Sequence, residues 1–376
     1  MVSVIKNGTV YESESNRLSR RDIWIEDGKI ISGPVDGVPF EEIDAKGCYV
    51  LPALIDSHVH VNRENGGFGT NSDLLCIPNG VQTVLDAGSL GTDGMERFIN
   101  CEIPKCSTRV FALLYAASAG QSLDWEEDLQ DIDAGAILTL YKKYPQVIKG
   151  LKIRYEDGLI GSSGLKPLKK CIEISERLQT EGFRCPVTVH LGRLGMVRLA
   201  EILDCLRPGD ILAHVFQSQG ETILDENGML RDEVKEARKK GVFFDFAHGR
   251  LNFTFSIIRS AGRQGFWPDL LGTDIHKGNV FRLPAFSAMN TISMMNALGM
   301  PLPWIFRALT RTPAEIWNFT DKINRFVPGD PADISIIREC PKELELTDRE
   351  GGSLTLQKVF TTKMTMHNGQ VLYAEL

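Results

Sequence analysis

The sequence predicts an α/β fold: a (β/α)8 TIM-type barrel with a small composite β-sandwich domain drawn from both termini. Three observations lead there. Both ends of the chain read as short strands joined by turns. The long middle alternates apolar runs with amphipathic stretches. The histidines fall at the ends of those apolar runs.

At the N-terminal end, Val2–Ile5 alternates ahead of Asn7-Gly8, Ile23–Ile25 precedes Asp27-Gly28, and Lys29–Ile31 follows. Asn-Gly and Asp-Gly between strand-like runs are hairpin signals. The C-terminal end behaves alike, with Ala332–Ile337, Leu354–Val359 and Met364–Met366, and with Asn368-Gly369 turning into Val371–Tyr373. Residues 1–52 and 327–376 are therefore assigned to one composite β-sandwich domain, and 53–326 to the barrel.

The middle holds eight apolar runs: Leu54–His60, Thr83–Gly88, Arg109–Ala117, Val147–Arg154, Pro186–Gly192, Ile211–Phe216, Val242–Gly249 and Leu270–His276. Helical stretches such as Leu168–Gln179, Val197–Leu206 and Arg231–Lys240 lie between several of them. Apolar strands alternating with helices mean a parallel sheet covered on both faces. Eight strand–helix units in about 270 residues fit a barrel. A doubly wound open sheet competes, but no Gly-x-Gly-x-x-Gly follows the first strand.

Composition excludes several function classes. The 376 residues are 43% hydrophobic and 24% charged, with a net charge of −7, so no basic surface for nucleic acid is expected. No apolar run approaches the roughly 20 residues that span a bilayer, and the N-terminus lacks a signal-peptide layout. Eight cysteines without a Cys-x-x-Cys pair predict reduced thiols and a cytoplasmic protein. The oligomeric state stays open, a homo-oligomer included.

The chemistry starts at Asp56-Ser57-His58-Val59-His60. Two histidines one residue apart on a strand share a face and make half of a metal site. In a barrel, reactive side chains sit at the C-terminal strand ends. Those ends carry His58 and His60, Lys152 and Arg154, His190, His214, His248, and Asp274 with His276; only His367 of the seven histidines lies elsewhere. One such histidine would read as a core residue, but six at strand ends favour a metal site.

These segments resemble the amidohydrolase superfamily, and most closely its dihydroorotase-like deacetylase branch. The resemblance rests on Leu51–His60, Asp86–Ser89, Gly150–Arg154, Val189–Gly192, Gly209–His214, Ala247–Gly249, Pro268–His276 and the tail Pro328–Asp333. It implies two divalent metal ions, usually zinc, held by His58, His60 and Asp274 on one side and by His190 and His214 on the other. A CO2-derived carbamate on Lys152 would bridge them. A crowded, desolvated amine is pushed toward the neutral form that reacts with CO2. Lys149 is the rival for this role; strand parity lets only one of the two point inward, and the motif favours Lys152.

Asp274 is the catalytic candidate, as ligand and as proton carrier. Arg154 can bind a substrate carboxylate through its planar fork or brace the metal ligands. His248 and His276 are candidate substrate contacts, with a structural role as the alternative. Asp56 can brace a ligand, and Asp86 can brace or cap a helix. The loop Asn62–Thr70 after the first strand holds Arg63, a further candidate for an anionic substrate. Tyr115, Ala213 and Arg250–Asn252 depart from the residues expected in the deacetylases, which bears on the substrate rather than on the metal centre.

The activity implied is hydrolysis of an amide or ester bond of a small acylated acid, an N-acyl amino acid or an O-acyl hydroxy acid, by a metal-bound hydroxide. A cyclic amidase of dihydroorotase or hydantoinase type shares the same ligands and is the alternative. A one-metal deaminase fits less well, because no glutamate follows His190 or His214 directly. A catalytically inactive structural relative would have lost ligands that are all present here.

Overall fold

The computed structural model describes residues 2–63, 68–121, 131–319 and 325–375. Seven strands form a parallel sheet in chain order: β8 (Leu54–Val59), β9 (Val81–Asp86), β10 (Arg109–Tyr115), β11 (Ile148–Tyr155), β12 (Val187–Leu191), β13 (Ile211–Ala213) and β14 (Phe243–Asp245). The eighth run, Leu270–His276, is not a regular strand. It lies between β14 and β8 through the parallel bridges Asp245↔Leu270 and Val59↔Ile275, and so closes the curled sheet. The backbone N–H groups of Phe246 and His60 donate to Leu270 and Ile275 at 3.0 and 2.9 Å.

Helices cover the outer face. Those predicted around 168–179, 197–206 and 231–240 are Lys166–Thr180, Leu199–Cys205 and Asp232–Lys240. Their apolar positions, such as Leu168, Cys171, Leu178, Leu199, Ile202 and Val234, join the main core with the outward side chains of the strands. At one end Ile55, Leu85, Leu113, Ile211 and Leu270 pack with Trp317 and Phe319 into a separate apolar cluster. That cluster closes one end of the barrel and leaves the other for polar groups.

The termini build two further sheets from β1 (Val2–Lys6), β2 (Thr9–Glu12), β3 (Arg17–Ser19), β4 (Ile23–Glu26), β5 (Lys29–Ile31), β6 (Phe40–Asp44), β7 (Cys48–Pro52), β15 (Ile334–Thr347), β16 (Ser353–His367) and β17 (Gln370–Ala374). One runs β5-β4-β1-β6 and the other β17-β16-β15-β7-β2-β3. Ile5, Ile25, Val50, Ile334 and Met366 share the core between them, which makes the sandwich composite. Asp27-Gly28 and Asn368-Gly369 are hairpin turns with positive φ at both residues, joining β4 to β5 and β16 to β17. Asn7-Gly8 is not a hairpin: β1 and β2 belong to different sheets, and the turn carries the chain from one to the other.

Two strand ends break where the sequence predicted them to continue. His214 has φ 63° and Asp274 φ 54°, so both leave the extended region and end their runs early. Left-handed backbone at a non-glycine residue is uncommon and clusters at functional sites.

Candidate metal centre

Strand β8 delivers His58 and His60 to one place, as period two requires, and the segment after β14 brings Asp274 to meet them. One ligand atom from each lies within 4.8 Å of the others. The Asp274 Oδ1 is 3.3 Å from His60 Nε2 and 3.9 Å from His58 Nε2. Gly272 makes the approach feasible: a Cβ there would lie 2.3 Å from the His58 Cβ.

Lys152, on β11, is buried, and its Nζ lies 3.2 Å from His58 Nε2. Lys149 goes elsewhere. Its amine donates to the Pro145 carbonyl and sits over the rings of Phe111 and Phe319, at the closed end of the barrel. The rings of His190 and His214 stand 4.0 Å apart between centroids, and His214 is 5.1 Å from His58. The structure thus gathers His58, His60, Lys152, His190, His214 and Asp274 at one end of the sheet.

The chemistry of the donors fits divalent cations. His58 Nδ1 faces Asp245 Oδ2 at 2.9 Å, His60 Nδ1 faces Ser89 Oγ at 2.9 Å, and His214 Nδ1 faces the Ala247 carbonyl at 2.6 Å. For His58 and His214 these acceptors place the proton on Nδ1 and leave a lone pair on Nε2, as a metal requires. Burial holds His58 and His190 well below the usual imidazole range and takes His214 to about 3, so all three are neutral. Burial also lowers the Lys152 amine to about 8. Burial alone would raise the Asp274 carboxyl, but the interactions of the site, led by the hydrogen bond from His60, outweigh it and keep it a carboxylate.

A second ring of carboxylates orients this set. Asp245, raised to about 6 by burial, accepts from the N–H groups of Ala247 and Gly272 while it holds His58. Asp56, raised to about 7 by burial, accepts from the Thr273 N–H and hydroxyl and from the His58 N–H, tying β8 to the closing segment. Asp86 accepts from the Ser89 hydroxyl at 2.8 Å and so reaches His60 through Ser89. Asn252 donates to Asp274 Oδ2 at 3.2 Å.

The candidate substrate contacts divide. Arg154 is buried on the same face as Lys152 and pairs with Glu156 at 2.7 Å. His276 lies at the edge of the cluster, its ring 4.8 Å from Phe68, with Nδ1 accepting from the Gly278 N–H. Arg63 is exposed, and its backbone N–H donates to Glu102. Residues 64–67 of that loop lie outside the described residues. His248 is the most deeply enclosed of these candidates. It is fully buried, with Nε2 on the Thr291 hydroxyl at 2.9 Å and its ring against Phe246 and Phe253.

Sequence reasoning passed over Asp245 and gave no supporting role in the metal centre to Ser89 or Asn252. Asp245 lies in the middle of the run read as Val242–Gly249, and only the structure shows the strand ending at it.

No family model matches the chain. It is 29% identical over 355 residues to a protein of Enterococcus faecalis named deacetylase, covering 93% of this chain and 94% of that one. Among solved structures, an adenine deaminase superposes with a TM-score of 0.87 at 28% identity, covering 99% of each chain. A dihydroorotase superposes with a TM-score of 0.86 at 26% identity, covering 100% of this chain and 98% of that one.

Proposed function

We propose that this chain is a metal-dependent hydrolase of the amidohydrolase type, as its similarity to a protein named deacetylase and to solved adenine deaminase and dihydroorotase structures supports, and that it holds two divalent metals and hydrolyses an amide or ester bond of a small acylated acid. The observation that carries this reading is the convergence of His58, His60 and Asp274 within 4.8 Å, with the Lys152 amine 3.2 Å from His58 Nε2. His58, His60 and Asp274 would hold one ion, His190 and His214 the other, and Lys152, as its carbamate, both. Nitrogen and oxygen donors of this kind suit zinc, and such ions would supply an acidified water and a polarised carbonyl when bound.

The chain's own residues do the rest. Asp274 takes the proton of the attacking water as the new C–O bond forms. It returns that proton to the leaving amine or alkoxide as the C–N or C–O bond breaks. Asp245 and Ser89 keep His58 and His60 aimed. A cation, the buried Arg154 or the exposed Arg63, takes the substrate carboxylate. The His276 Nδ1 accepts from Gly278, which puts its hydrogen on Nε2, available to a substrate oxygen.

Similarity over nearly the whole length to a protein named deacetylase supports an N-acyl amino acid or an O-acyl hydroxy acid as substrate. The test is a side-by-side screen of the zinc-loaded enzyme on N-acetyl amino acids, O-acetyl hydroxy acids, dihydroorotate, hydantoins and adenine. Turnover of the acylated acids is the expected result. Turnover confined to the cyclic amides would make the enzyme a cyclic amidase, and turnover confined to adenine a deaminase.

A further inference from the structure

The hairpin β15–β16 is longer than its own sheet needs. Its strands hold 14 and 15 residues, about 45 Å of extended chain, yet β7 pairs with β15 only over Ile334–Arg338. The rest overhangs the barrel. An isolated two-stranded ribbon is marginal in water, and this one is held by packing: Leu346, Leu356, Val359 and Phe360 are buried in the barrel's core. The Phe360 N–H donates to Ser293 Oγ on the helix Ala288–Ala297.

The tip of the hairpin lands on the loop that follows β14. Asp348 Oδ2 accepts from the Phe255 N–H at 2.8 Å. It thereby caps the helix Phe255–Arg263, whose own N-cap residue Thr254 makes no side-chain capping bond. The other oxygen, Oδ1, accepts from the Glu350 and Gly352 N–H groups and sets the tip turn. Arg349 donates from its backbone N–H to the Phe253 carbonyl at 3.4 Å and from Nη1 to the Leu251 carbonyl at 3.0 Å. With its amide oxygen turned toward the guanidinium, Gln219 accepts from Arg349 Nε at 3.2 Å. One arginine from the C-terminal hairpin therefore bridges the loops after β13 and β14.

The held loop reaches the reacting carboxylate. Between the carbonyls gripped by Arg349 lies Asn252, whose Nδ2 donates to Asp274 Oδ2 at 3.2 Å. The loop starts at Gly249, with φ 54°, where a Cβ would stand 2.7 Å from the same Oδ2. The loop backbone at Gly249 is thus packed directly against the Asp274 carboxylate. We infer that Arg349, with Asp348 beside it, is a positioning residue for the reaction: the hairpin tip fixes the loop 249–254 so that Asn252 sets the orientation of the Asp274 carboxylate. This rests on Asp274 carrying the proton in the proposed hydrolysis.

The test pairs crystallography with kinetics on the full-length, metal-loaded enzyme. In Arg349→Ala the Asn252–Asp274 hydrogen bond is expected to be lost. The kcat is expected to fall on the order of 10- to 100-fold, as small misplacements of reacting groups do, with KM and metal content within about twofold of wild type. Asn252→Ala should cost a similar factor, and the double variant no more than the larger single loss, because both act on one carboxylate. Arg349→Lys, which keeps one donor for the Leu251 carbonyl, should recover part of the rate. Gln219→Ala, which removes one partner of the guanidinium and leaves the tip turn alone, gives a milder form of the same effect should Arg349→Ala fold poorly. Two results would overturn the inference: retention of the 3.2 Å contact in the Arg349→Ala structure, or losses in the two single variants that multiply. A wild-type enzyme inactive on every acylated acid would refute the proposed substrate instead, and the crystallographic arm would still decide whether the hairpin holds the loop.

Discussion

Replacing Lys152 by methionine separates the cost of this lysine to the fold from its use in the site. Its side chain is buried, and burial takes the amine from its ordinary 10.5 to about 8. That displacement corresponds to about 3 kcal/mol of penalty on the charged form, at about 1.4 kcal/mol for each tenfold change in proton affinity. Below pH 8 the amine is protonated folded and unfolded, and metal-free protein bears the whole penalty. Between about 8 and 10.5 the unfolded chain binds a proton that the folded chain does not, so stability rises with pH. Above 10.5 both states are neutral and the penalty is gone. Methionine has nearly the same volume and no charge to desolvate. Metal-free Lys152→Met in CO2-free buffer should therefore be up to about 3 kcal/mol more stable than wild type at pH 7, with the advantage disappearing by about pH 10.5. Urea unfolding midpoints at several pH values measure this. The same variant should bind less metal and lose its activity. A Lys152→Met protein less stable at pH 7, or a stability gain independent of pH, would refute the placement of a desolvated, buried ammonium at this position.

Further outcomes follow from the ligand supports. Asp245→Asn keeps an oxygen for the Ala247 and Gly272 N–H groups but loses the charge facing His58, so metal affinity should fall roughly 10- to 100-fold by isothermal titration while the circular dichroism spectrum stays unchanged. Asp274→Asn should lower kcat by about 10²- to 10⁴-fold, the usual scale for a proton-transfer group, in a steady-state assay on the substrate found by the screen. Gly272→Ala forces a Cβ to within 2.3 Å of the His58 Cβ and should cost about 1–3 kcal/mol in unfolding experiments, together with metal affinity.

Much of the site was legible because strand periodicity is simple. His58 and His60 share a face by period two, and Lys152 and Arg154 do the same on β11. The limits of legibility are equally physical. Asp245 was passed over because its run reads as Val242–Gly249, which places it mid-strand, whereas the strand ends at Asp245 in the structure. His248 follows the strand-end pattern, yet its ring turns toward Thr291, a choice made by the packing of Phe246 and Phe253. The eighth run reads as a strand but forms only isolated bridges, because Asp274 takes a left-handed backbone to aim its carboxylate. The reach of the C-terminal hairpin was hidden for another reason. Leu354–Val359 and Met364–Met366 read as two strands, but they are parts of one, β16, and nothing local in Asp348-Arg349 says which distant loop it meets.

The most direct measurement is the metal content of gently purified protein, by elemental analysis under CO2-replete conditions. A binuclear centre requires close to two divalent ions per chain, falling toward one in His214→Ala. A content near zero, or a value unchanged by removal of His214 or Lys152, would contradict it.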